Sequence, residues 1–167
     1  MEEKEQNENT TKDHHGAVQF VLAHSYFIFL FAVILGAFLD PLIKKKIFFD
    51  DIYQTIGFLM LIIGSIIIYW AQRTSSNYRV KINNNDSKPY YYFLFGPYKY
   101  LRSPTHLGLF VMALGFSLII NSLFGVILIL IAYTITKFYF LKEEEKLLEM
   151  KYGQVYRDYR KKVKNWI

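Results

Sequence analysis

At 167 residues the chain has room for one ordinary domain, and its 53% of apolar residues gather in long blocks, which separates it from an evenly patterned soluble protein. The formal charge of +6 falls between and after those blocks and forms no base-reading motif, so it argues for membrane orientation and against nucleic acid. The absence of cysteine excludes disulfides, thiol catalysis and thiolate metal sites.

Residues 1–16 are polar and rich in Glu, Asn and Thr, a composition that buries too little apolar surface to offset the entropy of ordering, and predict a loose tail. The block that follows, Val18 to Leu39, is too long for a signal-peptide core and would cover about 33 Å as a helix, enough for the hydrocarbon layer. Asp40-Pro41 ends this first span. Beyond Lys44, Lys45 and Lys46, Ile52 to Trp70 forms a second span, closed by the interfacial pair Tyr69-Trp70.

From Ala71 to Ser103 the chain is polar and reads as the longest connection, with a turn at Asn83-Asn84-Asn85-Asp86 and an aromatic run, Tyr90 to Phe93, suited to the headgroup layer. Pro104 to Ile120 and Leu123 to Phe140 predict two more spans, joined through Asn121-Ser122 as a tight helical hairpin. Gly108 and Gly115 share one face of the third span and predict close approach of another helix. A charged segment, 142–164, breaks near Gly153 and resumes with Tyr152, Tyr156, Tyr159 and Val163 at helical spacing, predicting an amphipathic helix.

The expected fold is therefore all-α: an integral membrane bundle of about four spans, 17–167, with a C-terminal amphipathic cytosolic helix. Lys and Arg outside the Lys44 to Lys46 cluster fall on one side of such a bundle, which predicts a multi-pass protein with both termini cytoplasmic.

Two stretches carry candidate chemistry. In Gly96-Pro97-Tyr98-Lys99-Tyr100-Leu101-Arg102-Ser103-Pro104-Thr105-His106-Leu107-Gly108, Ser103 suits an N-cap and Pro104 a first helical position, so Arg102 and free N–H groups meet at the positive end of a helix dipole. That pattern makes an anion site, although a Ser-Pro that merely starts a helix, with Arg102 reaching headgroup phosphates, has the same residues. In Glu143-Glu144-Glu145-Lys146-Leu147-Leu148, Glu145 shares a stripe with Leu141, Leu148 and Tyr152, and Glu144 one with Phe140 and Leu147, so at least one carboxylate faces inward. An inward carboxylate needs a cation or donor, whereas a solvated acidic run needs neither.

Together the two stretches resemble the isoprenylcysteine carboxyl methyltransferase and phospholipid methyltransferase superfamily, whose pattern runs Gly-Pro-Tyr-Arg-Tyr-x-Arg-His-Pro-x-Tyr-x-Gly, then a helical hairpin, then Glu-Glu-x-x-Leu. Its sequel is matched by Tyr152-Gly153, Tyr156, Tyr159 and Val163, so the resemblance covers about Tyr90 to Val163. It implies an integral membrane enzyme that moves a methyl group from S-adenosylmethionine to a lipid-like or isoprenoid acceptor. Tyr98, Ser103, Pro104, Thr105, His106 and Glu144 would line the cofactor, with Arg102 and Glu145 as the catalytic pair that supports them. Ser103 stands where the family usually has histidine and His106 where it has tyrosine, which moves the imidazole by about one helical turn. Phe140 stands where the carboxyl methyltransferase branch tends to carry an arginine for a substrate carboxylate.

Methyl transfer from a sulfonium is an in-line displacement that needs alignment and exclusion of water, not a metal. An amine acceptor must first lose a proton, for which His106 or a glutamate could serve. The implied partners are membrane lipids and a hydrophobic methyl acceptor; no protein partner is inferred. The rival readings are a reductase related to sterol reductases, which normally has more spans, and a non-catalytic membrane scaffold in which the glycines and charges serve assembly alone.

Overall fold

The computed structural model describes residues 23–42, 51–83 and 91–163. The predicted tail, the start of the first span, the Lys44 to Lys46 cluster, residues 84–86 of the predicted turn and Tyr90 lie outside the described residues.

Every regular element among the described residues is helical. Helix α1, Ala23–Leu39, ends in a single turn at Asp40–Leu42, and α2 spans Asp51–Asn83. Two one-turn segments, Tyr92–Leu94 and Gly96–Lys99, lead to α3, Pro104–Ile119. After the hairpin come α4, Leu123–Ile135, a π turn at Thr136–Phe140, α5, Leu141–Tyr152, and α6, Gln154–Lys162.

Two of these rods are long and apolar enough to cross a membrane, over Ile52–Asn77 and Leu123–Tyr152, and α1 and α3 are shorter apolar helices. Their outer faces carry Phe27, Phe31, Phe38, Ile62 and Ile66, all more than half exposed. In water such a surface would aggregate, whereas against acyl chains it is the expected contact layer. The chain is accordingly a membrane protein.

The hairpin is built as its sequence demands. Asn121 takes the left-handed conformation, with φ 56°, that closes the turn, and the Ser122 hydroxyl caps α4 by accepting from Gly125 N at 2.8 Å. Gly108 and Gly115 do face a neighbouring helix, and the neighbour answers with glycines of its own. A methyl group at Gly64 would fall 2.6 Å from the Gly108 carbonyl oxygen, and one at Gly115 would fall 2.6 Å from that of Gly57. The α2 and α3 backbones therefore run antiparallel in direct contact. Helix α1 packs elsewhere, through Phe29 and Ala32, against Leu109 and Ala113 of α3 and Ile129 and Ala132 of α4.

The connection expected from Ala71 to Ser103 differs in its first part. No proline or glycine interrupts Ala71 to Asn83, so α2 continues as helix beyond the apolar block, with Ala71 and Thr74 buried. That extension positions the following chain: Gly96, at φ 56°, sits so close to Thr74 that a Cβ would lie 2.5 Å from its hydroxyl.

Candidate functional site

The start of α3, the extension of α2, the two one-turn segments, α5 and α6 meet at one end of the bundle. Phe93 is the hub, its ring 5.2 Å from that of Tyr152, 5.4 Å from Tyr156 and 5.0 Å from Tyr159. These aromatic contacts join Tyr91, Tyr92 and Phe93 to the tyrosines on either side of Gly153. Gly153, at φ 56° and ψ −130°, allows α6 to turn back onto α5, and Glu149 then holds Arg157 at 2.6 Å and Arg160 at 3.2 Å.

The π turn in the α4–α5 rod adds a residue to the helix repeat, which re-phases α5 relative to α4. Glu144 and Glu145 of the acidic run then point inward, to different partners. Glu145 Oε1 lies 3.0 Å from Arg102 Nη1, while Glu144 Oε2 lies 3.6 Å from His106 Nδ1.

Arg102 bonds through all three of its guanidinium nitrogens. Besides Glu145, its Nε donates to the Val163 carbonyl at 2.6 Å and its Nη2 to the Arg160 carbonyl at 2.6 Å. The planar guanidinium thus fastens the carboxyl end of α6, whose last carbonyls have no helical partner, to the start of α3. Tyr159 adds a second tie, its hydroxyl donating to the Tyr98 carbonyl at 2.7 Å.

His106 is only 4% exposed, and its Nε2 lies 3.1 Å from the Ser25 hydroxyl of α1. Its Nδ1 and Glu144 Oε2 are both buried without a hydrogen-bond partner. Nδ1 and the Glu144 carboxyl face each other across 3.6 Å, too far for a direct hydrogen bond. A buried carboxylate oxygen without a donor is costly, and native structures keep such atoms where a ligand or water completes them.

Both residues border a small cavity of about 50 Å³. It is lined by Tyr98, Arg102, Ser103, Thr105, His106 and Glu144, together with Ser75, Tyr92, Phe93, Leu148, Tyr156 and Tyr159. Burial, reinforced by the charge of Glu144, pushes the Tyr92 phenol well above its usual range, and burial does the same for Tyr156 and Tyr159. These phenols therefore stay neutral and able to donate.

The residues singled out from sequence thus come together, Glu145 against Arg102 among them, with two differences in detail. Pro104 is fully buried and does not line the cavity. The Ser103 hydroxyl makes no capping bond, although Ser103 does precede the helix. Ser75 lies on a stretch read as connection, and Ser25, which orients His106, lies in the apolar block of α1; a lone serine there carries no signal in sequence.

Residues 52–155 match the phospholipid methyltransferase family. No curated protein and no solved structure matches the chain.

Proposed function

The chain belongs to the phospholipid methyltransferase family and is a membrane methyltransferase for lipid-like acceptors, and from that premise we propose that it uses S-adenosylmethionine to methylate a lipid amine at the cavity beside His106 and Glu144. The observation that carries this reading is the buried pair of unpartnered polar atoms, His106 Nδ1 and Glu144 Oε2. A group placed between them can complete both, and a donor or a cation suits the carboxylate.

When bound, S-adenosylmethionine supplies an electrophilic methyl group on a positively charged sulfur. Glu144, the neutral phenols of Tyr92 and Tyr156, and the hydroxyls of Ser103 and Thr105 are the groups available to hold it. Room for a nucleoside requires α6 to yield, which makes Arg102, with Glu145, a positioning residue that sets how firmly the cavity is closed. An ammonium acceptor must lose a proton before its lone pair can attack, and His106 Nδ1 or Glu144 Oε2 can take it. A carboxylate acceptor fits less well, because Arg102 is spent on protein carbonyls and Phe140 offers no charge.

Calorimetry in detergent tests the donor. The protein should bind S-adenosylmethionine, and Glu144→Gln should weaken binding by about tenfold or more, the scale of a charge-assisted hydrogen bond. Equal affinity for the two proteins would remove Glu144 from the site. Label from the methyl group should then pass to an aminophospholipid in preference to a prenylated cysteine acid.

In this reading α1, α2, α3 and the α4–α5 rod cross the membrane as four spans, with both termini and the cavity on the cytoplasmic side. A reporter joined after Ile167 should stay cytoplasmic, and labelling of it from outside the cell would reverse the assignment.

A further inference from the structure

His106 turns its two ring nitrogens to different surroundings. On one side Nε2 lies 3.1 Å from the hydroxyl of Ser25, which reaches it from α1. Ser25 and His106 are 1% and 4% exposed, and Ser25, Tyr26, Thr105, His106 and Leu109 close around that contact with no room for a water molecule. On the other side Nδ1 faces Glu144 at 3.6 Å, and His106 and Glu144 both line the polar cavity. One nitrogen is thus sealed against the Ser25 hydroxyl, and the other stands on the side where a ligand can enter.

We propose that Ser25 is a positioning residue whose hydroxyl accepts from Nε2–H and so keeps the lone pair of the neutral imidazole on Nδ1, the base for the acceptor's ammonium. The inference rests on the functional reading above and deepens it. It assigns the proton to His106, and control of the ring to a helix that precedes the residues matched to the family. His106 itself stands where the family pattern has tyrosine, so the pair belongs to this chain.

A neutral imidazole has one N–H, so the partner of one nitrogen decides what the other can do. Were the hydrogen on Nδ1, a charge-assisted bond to the Glu144 carboxylate would draw the two atoms to about 2.7–2.9 Å. They stand at 3.6 Å. With the hydrogen on Nε2, the 3.1 Å contact to Ser25 is an ordinary N–H···O bond. A serine oxygen has two lone pairs and a hydrogen of its own, so accepting from His106 leaves it able to donate elsewhere. The closed packing adds to this control, because a water at Nε2 could donate or accept and would leave both tautomers open.

Glu144 is the group that holds the donor's positive charge in this reading, and a cation in contact with a carboxylate opposes its protonation. Toward His106 the same carboxylate favours the imidazolium that forms. In the step itself, Nδ1 takes one proton from the ammonium, and the N–H electron pair stays on the acceptor nitrogen. That pair forms the N–CH3 bond as the S–CH3 bond breaks, and the electrons of the broken bond remain on sulfur. His106, then carrying a hydrogen on both nitrogens, keeps its bond to Ser25 throughout and releases the Nδ1 proton to water once the products leave.

Nitrogen NMR of the full-length protein in lipid nanodiscs, with isotope-labelled histidine, tests the tautomer; the His106 signals are identified by their loss in His106→Gln. In the unaltered protein at neutral pH, Nε2 should carry the hydrogen and Nδ1 should show the shift of a bare ring nitrogen. In Ser25→Ala the hydrogen should move to Nδ1, toward Glu144. Methyl transfer to phosphatidylethanolamine should then lose about a hundredfold in kcat, the lower end of what a general base contributes. KM and the calorimetric affinity for S-adenosylmethionine should stay nearly unchanged. Ser25→Thr, which keeps a hydroxyl, should retain both the tautomer and kcat. The spectrum of the unaltered protein needs no substitution, so the test survives a variant that fails to fold at this buried position.

A hydrogen on Nδ1 in the unaltered protein overturns the proposal, as does Ser25→Ala with tautomer and kcat unaltered. A joint fall in kcat and donor affinity with the tautomer intact overturns it too, because Ser25 then only fastens α1 to α3. If the unaltered protein binds no S-adenosylmethionine, the functional reading fails and the catalytic role of His106 falls with it. Donor binding by a protein whose His106 carries its hydrogen on Nδ1 spares that reading and sinks this proposal alone.

Discussion

The α2–α3 contact and the clasp between α3, α5 and α6 hold the same bundle together by opposite means. Along the first, glycines bring backbone against backbone, and the side chains add one weak hydrogen bond, from Ser65 Oγ to Met112 Sδ at 3.6 Å. Along the second, a guanidinium, two carboxylates, an imidazole and a tier of phenols meet, and two of their polar atoms are left without partners. Unsatisfied atoms are not confined to this end, since the Ser117 and Thr136 hydroxyls also lack partners. A hydroxyl costs far less to leave bare than a carboxylate, so Glu144 marks the place where the fold has retained an expense for another purpose.

The comparison breaks most sharply at Gly64. In Gly64→Val the new Cβ would lie 2.6 Å from the Gly108 carbonyl oxygen and 2.9 Å from Met112 Cβ, and the first of these cannot rotate away. The helices must separate, with a loss on the order of 3 kcal/mol. Unfolding of the purified protein by titrated detergent measures it. An unchanged midpoint would mean that α2 and α3 are not in backbone contact.

Arg102→Ala acts on the other region and should leave the bundle standing. It removes the partner of Glu145 and both donors to the end of α6, groups that are partly buried, for a loss of about 2 kcal/mol confined to the clasp. Amide exchange should rise throughout α6 while the α3 core stays protected. Arg102→Lys should not restore protection, because one ammonium cannot span a carboxylate and two carbonyls in a planar fork.

The two regions were also unequally legible. Gly108 and Gly115, spaced two turns apart in an apolar block, announced a helix contact, and Asn121-Ser122 announced the hairpin. Gly57 and Gly64 have the same spacing in α2 and complete that contact, so the pairing of the two helices was available to pattern alone. The cluster at the clasp was legible as a set, because the resemblance covers the stretches that supply Tyr98, Arg102, His106 and Glu144. Their division of labour was not. Whether Arg102 meets a ligand or the end of α6 depends on how Gly153 folds the last helix back, and Ser25 reaches His106 from a helix 81 positions away in sequence. The continuation of α2 to Asn83 was obscured by its polar composition, which in sequence resembles a loop.

The smallest expected effect runs in the opposite direction from the others. At Glu144 the clasp keeps a carboxylate oxygen buried and without a donor, 3.6 Å from an imidazole nitrogen that also lacks a partner. Glu144→Gln replaces the charge with a neutral amide of nearly the same shape, whose NH2 can donate to His106 Nδ1 and satisfy both sides at once. The fold should therefore gain about 1 kcal/mol, seen as a higher unfolding midpoint in detergent, while donor binding falls. Glycines at the helix contact admit no such exchange, because nothing there awaits a ligand. A variant that lost stability together with binding would show that Glu144 supports the fold, and the orphaned pair would no longer mark a site.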